Sequence, residues 1–168
     1  MKLNIVMVEP EIPQNTGNIA RTCAITGAKL HLVYPLGFSL NDKYLKRAGL
    51  DYWDKLEIEI HESLSEFLIK YSPEKHSMFF STTKGKQCYS DVNYAKEKEI
   101  FLLFGKETKG LPEDLLQKYI NQTIRIPMRE NLRSLNLSNS VAIVAYEVFR
   151  QVGFEELEQI SSYFDKKW

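Results

Sequence analysis

Three polar stretches of this 168-residue chain carry residue types that can do chemistry. The first is Asn15-Thr16-Gly17-Asn18-Ile19-Ala20-Arg21, just after an apolar run. Asn15 and Asn18 can clamp polar groups, and Gly17 lets a backbone approach closely. Arg21 lies i+3 from Asn18 and i+4 from Gly17, on one helix face near the positive end, a good place to meet a phosphate. The plain alternative is a solvated arginine on an amphipathic helix. The second stretch, Phe104 to Pro112, sets Gly105 and Gly110 around Glu107 in a strand-to-helix turn. Gly105 suits packing against a planar ligand, and turn chemistry alone is the alternative. The third runs from Ile124 to Ser140 and holds Arg129, Arg133 and Ser134. It joins a strand end to a capped helix start, where ligands find free backbone amides and hydroxyls in open α/β sheets. None of the three is a G-x-G-x-x-G fingerprint or a P-loop, which counts against a Rossmann dehydrogenase and a phosphate-cradling NTPase.

Elements able to position these stretches are readable from periodicity. Leu3–Val8 is a continuous apolar strand buried on both faces. Pro10 and Pro13 punctuate a loop, and a helix is expected from about Thr16 to Ile25, stopped by Gly27. Strands are expected at Lys29–Tyr34, Leu56–Ile60, Ser77–Ser81, Glu99–Phe104 and Thr123–Ile126, where Pro127 ends the ladder. Helices are expected at Asn41–Ala48 and over Leu64, Phe67, Leu68 and Tyr71. Another opens at Leu111-Pro112, and one carries Leu137, Val141, Val144, Ala145 and Val148 with Asn136 or Ser138 as its cap. A last helix is expected from Phe154 to Phe164, with Leu157, Ile160 and Phe164 on one side. Alternating strands and helices predict an α/β fold, a mostly parallel sheet with helices on both faces, in a single domain over residues 1–168.

Composition bounds the partners. A hydrophobic fraction of 43% and a charged fraction of 26% describe an ordinary globular protein. Lys plus Arg equals Asp plus Glu, so bulk charge announces no nucleic-acid binder and such a role must rest on local patches. Cys23 and Cys88 form no C-x-x-C pair, and His31, His61 and His76 have no ligand-like spacing, so these residues are read as packing or surface residues without a metal. No signal peptide or membrane span is read, and a cytoplasmic location is expected.

Taken together, Asn15-x-Gly17-Asn18-x-x-Arg21, Gly105-x-Glu107-x-x-Gly110-Leu111-Pro112 and Ser134-x-Asn136-Leu137-Ser138-Asn139 resemble, in order and spacing, the three motifs of the SPOUT, or trefoil-knot, RNA methyltransferases. Glu9-Pro-Glu-Ile-Pro, Arg47-Ala-Gly-Leu-Asp-Tyr, Thr82-Thr-Lys-Gly and Arg125-Ile-Pro-Met extend the likeness nearly end to end, toward the small bacterial tRNA-modifying branch. Lys106, where relatives often have Pro, and Ser140, where Ala is usual, are mild departures.

The resemblance implies a SPOUT fold with a C-terminal trefoil knot, a feature rare among proteins that nothing in the periodicity announces. It implies S-adenosylmethionine as cofactor, among Ser81, Thr82, Gly105, Ile126, Met128, Ser134 and Leu135. It implies catalytic roles for Arg21, Glu107, Asn136 and Tyr146, although a core aromatic is the alternative for Tyr146. The implied reaction is 2′-O-methylation of the ribose of wobble nucleotide 34 in the anticodon stem-loop of leucine tRNAs, by a homodimer without metal. Implied RNA contacts are Lys43, Lys46, Arg47, Lys84, Lys86, Lys106, Lys109, Arg129 and Arg133. Methylation of another tRNA position or of rRNA is the alternative among enzymes. A non-catalytic RNA-binding or assembly protein is the alternative outside them, disfavoured by the complete Arg21, Glu107 and Ser134-x-Asn136 set.

Overall fold

A computed structural model describes residues 1–40, 55–130 and 134–163. Seven strands form one sheet: β1 (Lys2–Val8), β2 (Lys29–Val33), β3 (Ile58–His61), β4 (Ser77–Ser81), β5 (Gln87–Cys88), β6 (Glu99–Phe104) and β7 (Thr123–Arg125). Their order is β3-β2-β1-β6-β4-β7-β5, and every pairing is parallel. Parallel strands need crossovers. Helices α1 (Pro13–Thr26), α2 (Leu64–Lys70) and α3 (Glu113–Lys118) lie on three of them, and α4 (Leu137–Gln151) follows β7.

The sheet is covered on both sides, as the continuous apolar strands require. In β1, Leu3, Ile5 and Met7 join Ile19, Ala20 and Cys23 of α1 and Val141, Val144 and Val148 of α4. Val6 and Val8 face the other way, toward Phe67 of α2 and Leu115 and Leu116 of α3. Each fully buried aliphatic side chain contributes roughly 2 kcal/mol.

Several expectations shift. Helix α1 begins at Pro13 rather than near Thr16, because proline is preorganised for a first helical turn. Asn15, Thr16 and Gly17 therefore lie within the helix, and Gly27 closes it in the left-handed conformation as expected. Strand β3 starts two residues after Leu56 and β7 stops at Arg125, before Ile126. The tail helix is wrong over its described residues. Gly153, Phe154 and Glu156 have positive φ, and the Phe154 amide bonds back to the Phe149 carbonyl, so the chain turns off α4. Phe154 and Leu157 then pack on the core while Ile160 stays in solvent. The expected helix Asn41–Ala48, and Phe164, lie outside the described residues.

Strand β5 is an element that periodicity does not announce. Its two residues pair with Ile124 and Arg125 of β7. The connection from β4 to β5 crosses β7 closely. The Thr82 amide bonds to the Ile124 carbonyl, and a Cβ on Gly85 would stand 2.5 Å from the Ile124 carbonyl carbon. Only glycine fits that crossing.

The β2–β3 edge holds a buried polar group. His31 Nδ1 and His61 Nε2 are 3.0 Å apart, with ring centroids 5.3 Å apart and planes within 11°. Asn4 donates to the Ile100 carbonyl, so its Oδ1 accepts from His31 Nε2 at 3.1 Å. Nδ1 of the neutral His31 must then accept from His61 Nε2. With Glu59 the two histidines form a set of possible ligands. The two facing nitrogens are taken up by the hydrogen bond between them, and His31 Nε2 by Asn4. Glu59 is also bonded to the ammonium groups of Lys29 and Lys70. The cluster is a hydrogen-bonded pair packed among Phe67, Tyr71 and Phe101.

Burial pushes the His31 imidazole down from 6.5 to about 3, against the opposing charge of Glu59. Burial alone would raise the Glu59 carboxyl, but hydrogen bonds from Lys29, Lys70 and Tyr71 outweigh it and hold it at about 2. Both groups bind protons more readily when unfolded, so both stabilise the fold at high pH and lose that contribution as pH falls. Thermal unfolding midpoints are expected to be level above pH 7, to fall as pH drops below 6.5, and to fall faster below 4.5. Replacing both histidines with Phe should flatten the segment between 6.5 and 4.5; an unchanged slope there would exclude the pair as its source.

Candidate functional site

A parallel sheet puts the C-terminal ends of neighbouring strands on one edge. The loops after β1, β4, β6 and β7 meet there around a cleft of about 1170 Å³. Asn15, Gly105 and Ser134, which lead the three polar stretches, all line it. So do Ser81, Thr82, Glu107, Ile126, Met128, Leu135 and Asn136. The sequence-predicted residues thus converge, with two exceptions taken up below.

Helix α1 has Ile12 at its N-cap, no side-chain cap and no acid in its first turn. The amides that lead into it are met from across the fold. Glu107 Oε2 accepts from the Glu11 amide at 2.8 Å, and Oε1 accepts from the Ile12 amide at 3.3 Å and Asn15 Nδ2 at 2.9 Å. A carboxylate at this end also opposes the positive pole of the helix. Asn15 Oδ1 accepts from Asn136 Nδ2 at 3.0 Å, and Asn136 Oδ1 in turn accepts from the Ser138 amide at 2.9 Å and the Asn139 amide at 3.4 Å. Asn136 therefore caps α4, as expected, and reaches α1 as well. The chain of bonds has one direction: Glu107 can only accept, so Asn15 must donate to it and Asn136 must donate to Asn15.

The turn after β6 is tight. The Gly110 amide bonds the Lys106 carbonyl at 2.8 Å, and a Cβ on Gly105 would lie 2.0 Å from the Gly110 carbonyl carbon. Sequence reasoning quoted Glu9 and Glu11 without giving them a role. Glu11 accepts from the Thr108 amide at 3.0 Å and its hydroxyl at 2.9 Å, while its own amide donates to Glu107. Glu9 pairs with Lys106, and that hydrogen bond raises the ammonium pKa. An acid between two prolines was the available signal. With three donors on its two oxygens, Glu107 fixes geometry rather than waiting as a free base. What the site offers is position: a glycine-walled recess, backbone groups, and the apolar side chains of Ile126, Met128 and Leu135.

Arg21 and Tyr146 do not line the cleft. Arg21 is exposed on α1 in a stripe with Gln14, Asn18 and Ile25. Tyr146 is 42% exposed on α4, which packs against α1. Among the basic candidates, Lys109 and Arg129 line the cleft, as do Lys84, paired with Glu113 at 3.1 Å, and Lys106. Lys86 lines a smaller adjoining recess. Lys43, Lys46, Arg47 and Arg133 lie outside the described residues.

Comparison with known proteins gives the same grouping of residues a lineage. Residues 2–146 match the model of the SpoU rRNA Methylase family. A Burkholderia ambifaria protein named tRNA (cytidine(34)-2′-O)-methyltransferase is 48% identical over 153 residues, 90% of this chain and 97% of its own. A crystal structure of a Bacillus anthracis protein superposes with a TM-score of 0.85 at 46% identity, covering 94% of this chain and 99% of that one. A structure described under 2-OH methylation of C/U34 on tRNA gives a TM-score of 0.85 at 42% identity, covering 92% and 98%.

The direction of the Glu107–Asn15–Asn136 chain sets a test. Asn15→Asp replaces a donor facing Glu107 by a second carboxylate and is expected to cost about 2 kcal/mol in urea unfolding. That loss should exceed the loss in Asn15→Ala. Equal stability of Asn15→Asp and the unaltered protein would refute the one-way chain.

Proposed function

The chain belongs to the SpoU rRNA methylase family, and we propose that it methylates the ribose 2′-oxygen of nucleotide 34 in tRNA, using S-adenosylmethionine. Leucine isoacceptors are the proposed substrates, met at the anticodon stem-loop by a cytoplasmic homodimer. The observation that carries this reading is the single cleft onto which the loops led by Asn15, Gly105 and Ser134 converge. The names of the similar proteins point the same way for nucleotide 34.

The cleft suits the methyl donor. Gly105 lets the end of β6 pass against the Gly110–Leu111 peptide, where a Cβ would collide, and Ile126, Met128 and Leu135 offer apolar surface for an adenine ring. Ser81, Thr82 and Ser134 add hydroxyls and backbone groups for its polar edges. When bound, the donor supplies an electrophilic methyl on a sulfonium whose sulfur leaves neutral, so no acid is needed. The protein must then align a poorly acidic hydroxyl and let its proton go. Orientation supplies much of such a rate. Glu107 and Asn136 hold the loops that shape the cleft. Arg21, whose guanidinium carries donors and no acceptor, is the proposed orienter of the RNA phosphate and 2′-oxygen rather than a base. Tyr146 is proposed to assist from α4.

The places of Arg21 and Tyr146 support the dimer. Both are exposed on α1 and α4, two helices that pack together, and Ile25 on α1 is 52% exposed. In the proposed dimer a second copy covers these helices and receives Arg21 at its own cleft. The knot of the resembled family is part of this reading, supported by the close crossing at Gly85.

Calorimetry is expected to show S-adenosylmethionine binding that a chelator leaves unchanged. Arg21→Ala should retain that binding while kcat falls on the order of 10²-fold; undiminished turnover would remove Arg21 from the mechanism. The decisive experiment is mass spectrometry of leucine tRNAs from cells lacking the protein. Ribose methylation at nucleotide 34 should be lost, and its persistence would overturn the substrate assignment.

A further inference from the structure

A second recess, of about 330 Å³, adjoins the main cleft and shares Arg125 and Met128 with it. Gly85, Lys86, Gln87, Cys88 and Pro127 complete it. Charge sets it apart. In the main cleft Lys106 meets Glu9 and Lys84 meets Glu113. No carboxylate lines the smaller recess among the described residues. The whole chain has a formal net charge of zero, so two cations without an acid are a local excess.

The two cations are held differently. Arg125 Nη1 donates to the Thr83 carbonyl, which anchors the guanidinium and leaves other donors to spend. Lys86 is pinned at its backbone, where its amide donates to Thr123 Oγ1 at 3.1 Å, and its side chain is exposed. An anchored planar cation beside an exposed ammonium suits a phosphate. Pro127 and Met128 add apolar surface on which a base can lie. The size is that of a small ligand site, and the shared wall leaves the recess one step from the cleft.

Resting on the methyltransfer reading above, we infer that this recess seats the nucleotide adjoining the methylated one. Lys86 and Arg125 hold its phosphate, and Pro127 and Met128 receive its base. Single-stranded RNA is gripped in this way, by backbone charge and sequence-tolerant contact with base faces.

The test uses the full chain and a fluorescent anticodon stem-loop, with affinity followed by anisotropy against salt. Lys86→Ala should flatten the slope of log Kd on log salt by about 0.7, the value for one phosphate in a single strand. Lys86→Arg should restore the slope. Cofactor affinity should be unchanged in Lys86→Ala. A stem-loop with an uncharged methylphosphonate beside nucleotide 34, on the correct side, should give the unaltered protein the same flattened slope, with no further loss in Lys86→Ala. An unchanged slope in Lys86→Ala overturns the inference, as do independent losses from the variant and the uncharged linkage on both sides. Failure of the unaltered protein to bind or methylate the stem-loop overturns the functional reading first.

Discussion

The Glu107 carboxylate, set against the start of α1, is the contact on which the arrangement of the site depends. Helix α1 enters with Ile12 at its cap and proline in its first turn, so no local side chain answers its free amides. Glu107 takes the Glu11 and Ile12 amides that lead into the helix and orients Asn15, which fixes Asn136 and with it the start of α4. Charge-assisted bonds of this kind are worth roughly 1.5–3 kcal/mol each. The same bonds therefore finish two helices and hold three loops at one distance from one another. Stability and preorganisation are not separate features here; each acceptor that caps a helix also sets a wall of the cleft.

The sheet has little room to alter this. Strands β1 and β6 lie side by side at its centre, buried on both faces, and their loops open on the same edge. A one-residue slip between them would exchange every side chain between the two cores. Register in the middle of the sheet thus decides whether Glu107 can reach Asn15. The polar His31–His61 pair sits at the other side of β1, between β2 and β3, so its proton-dependent contribution acts on an edge rather than on the loops of the cleft.

Much of this was legible in the chain. Strands β1 and β6 showed as unbroken apolar runs because both of their faces are covered. The cap at Asn136 and the stripe Val141, Val144 and Val148 followed from side-chain chemistry and helical period. The three polar stretches were recognisable as a set, and the cleft brings them together. Strand β5 was not legible, because Gln87 and Cys88 owe their conformation to pairing with β7 and not to any pattern of their own. The tail showed a plausible helical spacing, yet left-handed turns at Gly153, Phe154 and Glu156 override it. Arg21 and Tyr146 show how far period reaches: it puts a residue on a helix face without saying which cavity that face meets. His31 and His61 read as packing residues, but their bond depends on the β2–β3 register.

The crossing at Gly85 bears on how such a chain can be made. Strand β7 lies between β4 and β5, yet it is synthesised after both. A ribosome releasing the chain from its first residue delivers the frame of β1 to β6 before the segment that must occupy the gap within it. Loop closures of this reach are slow to form. The cleft is therefore complete only once the polypeptide from β7 onward has been made.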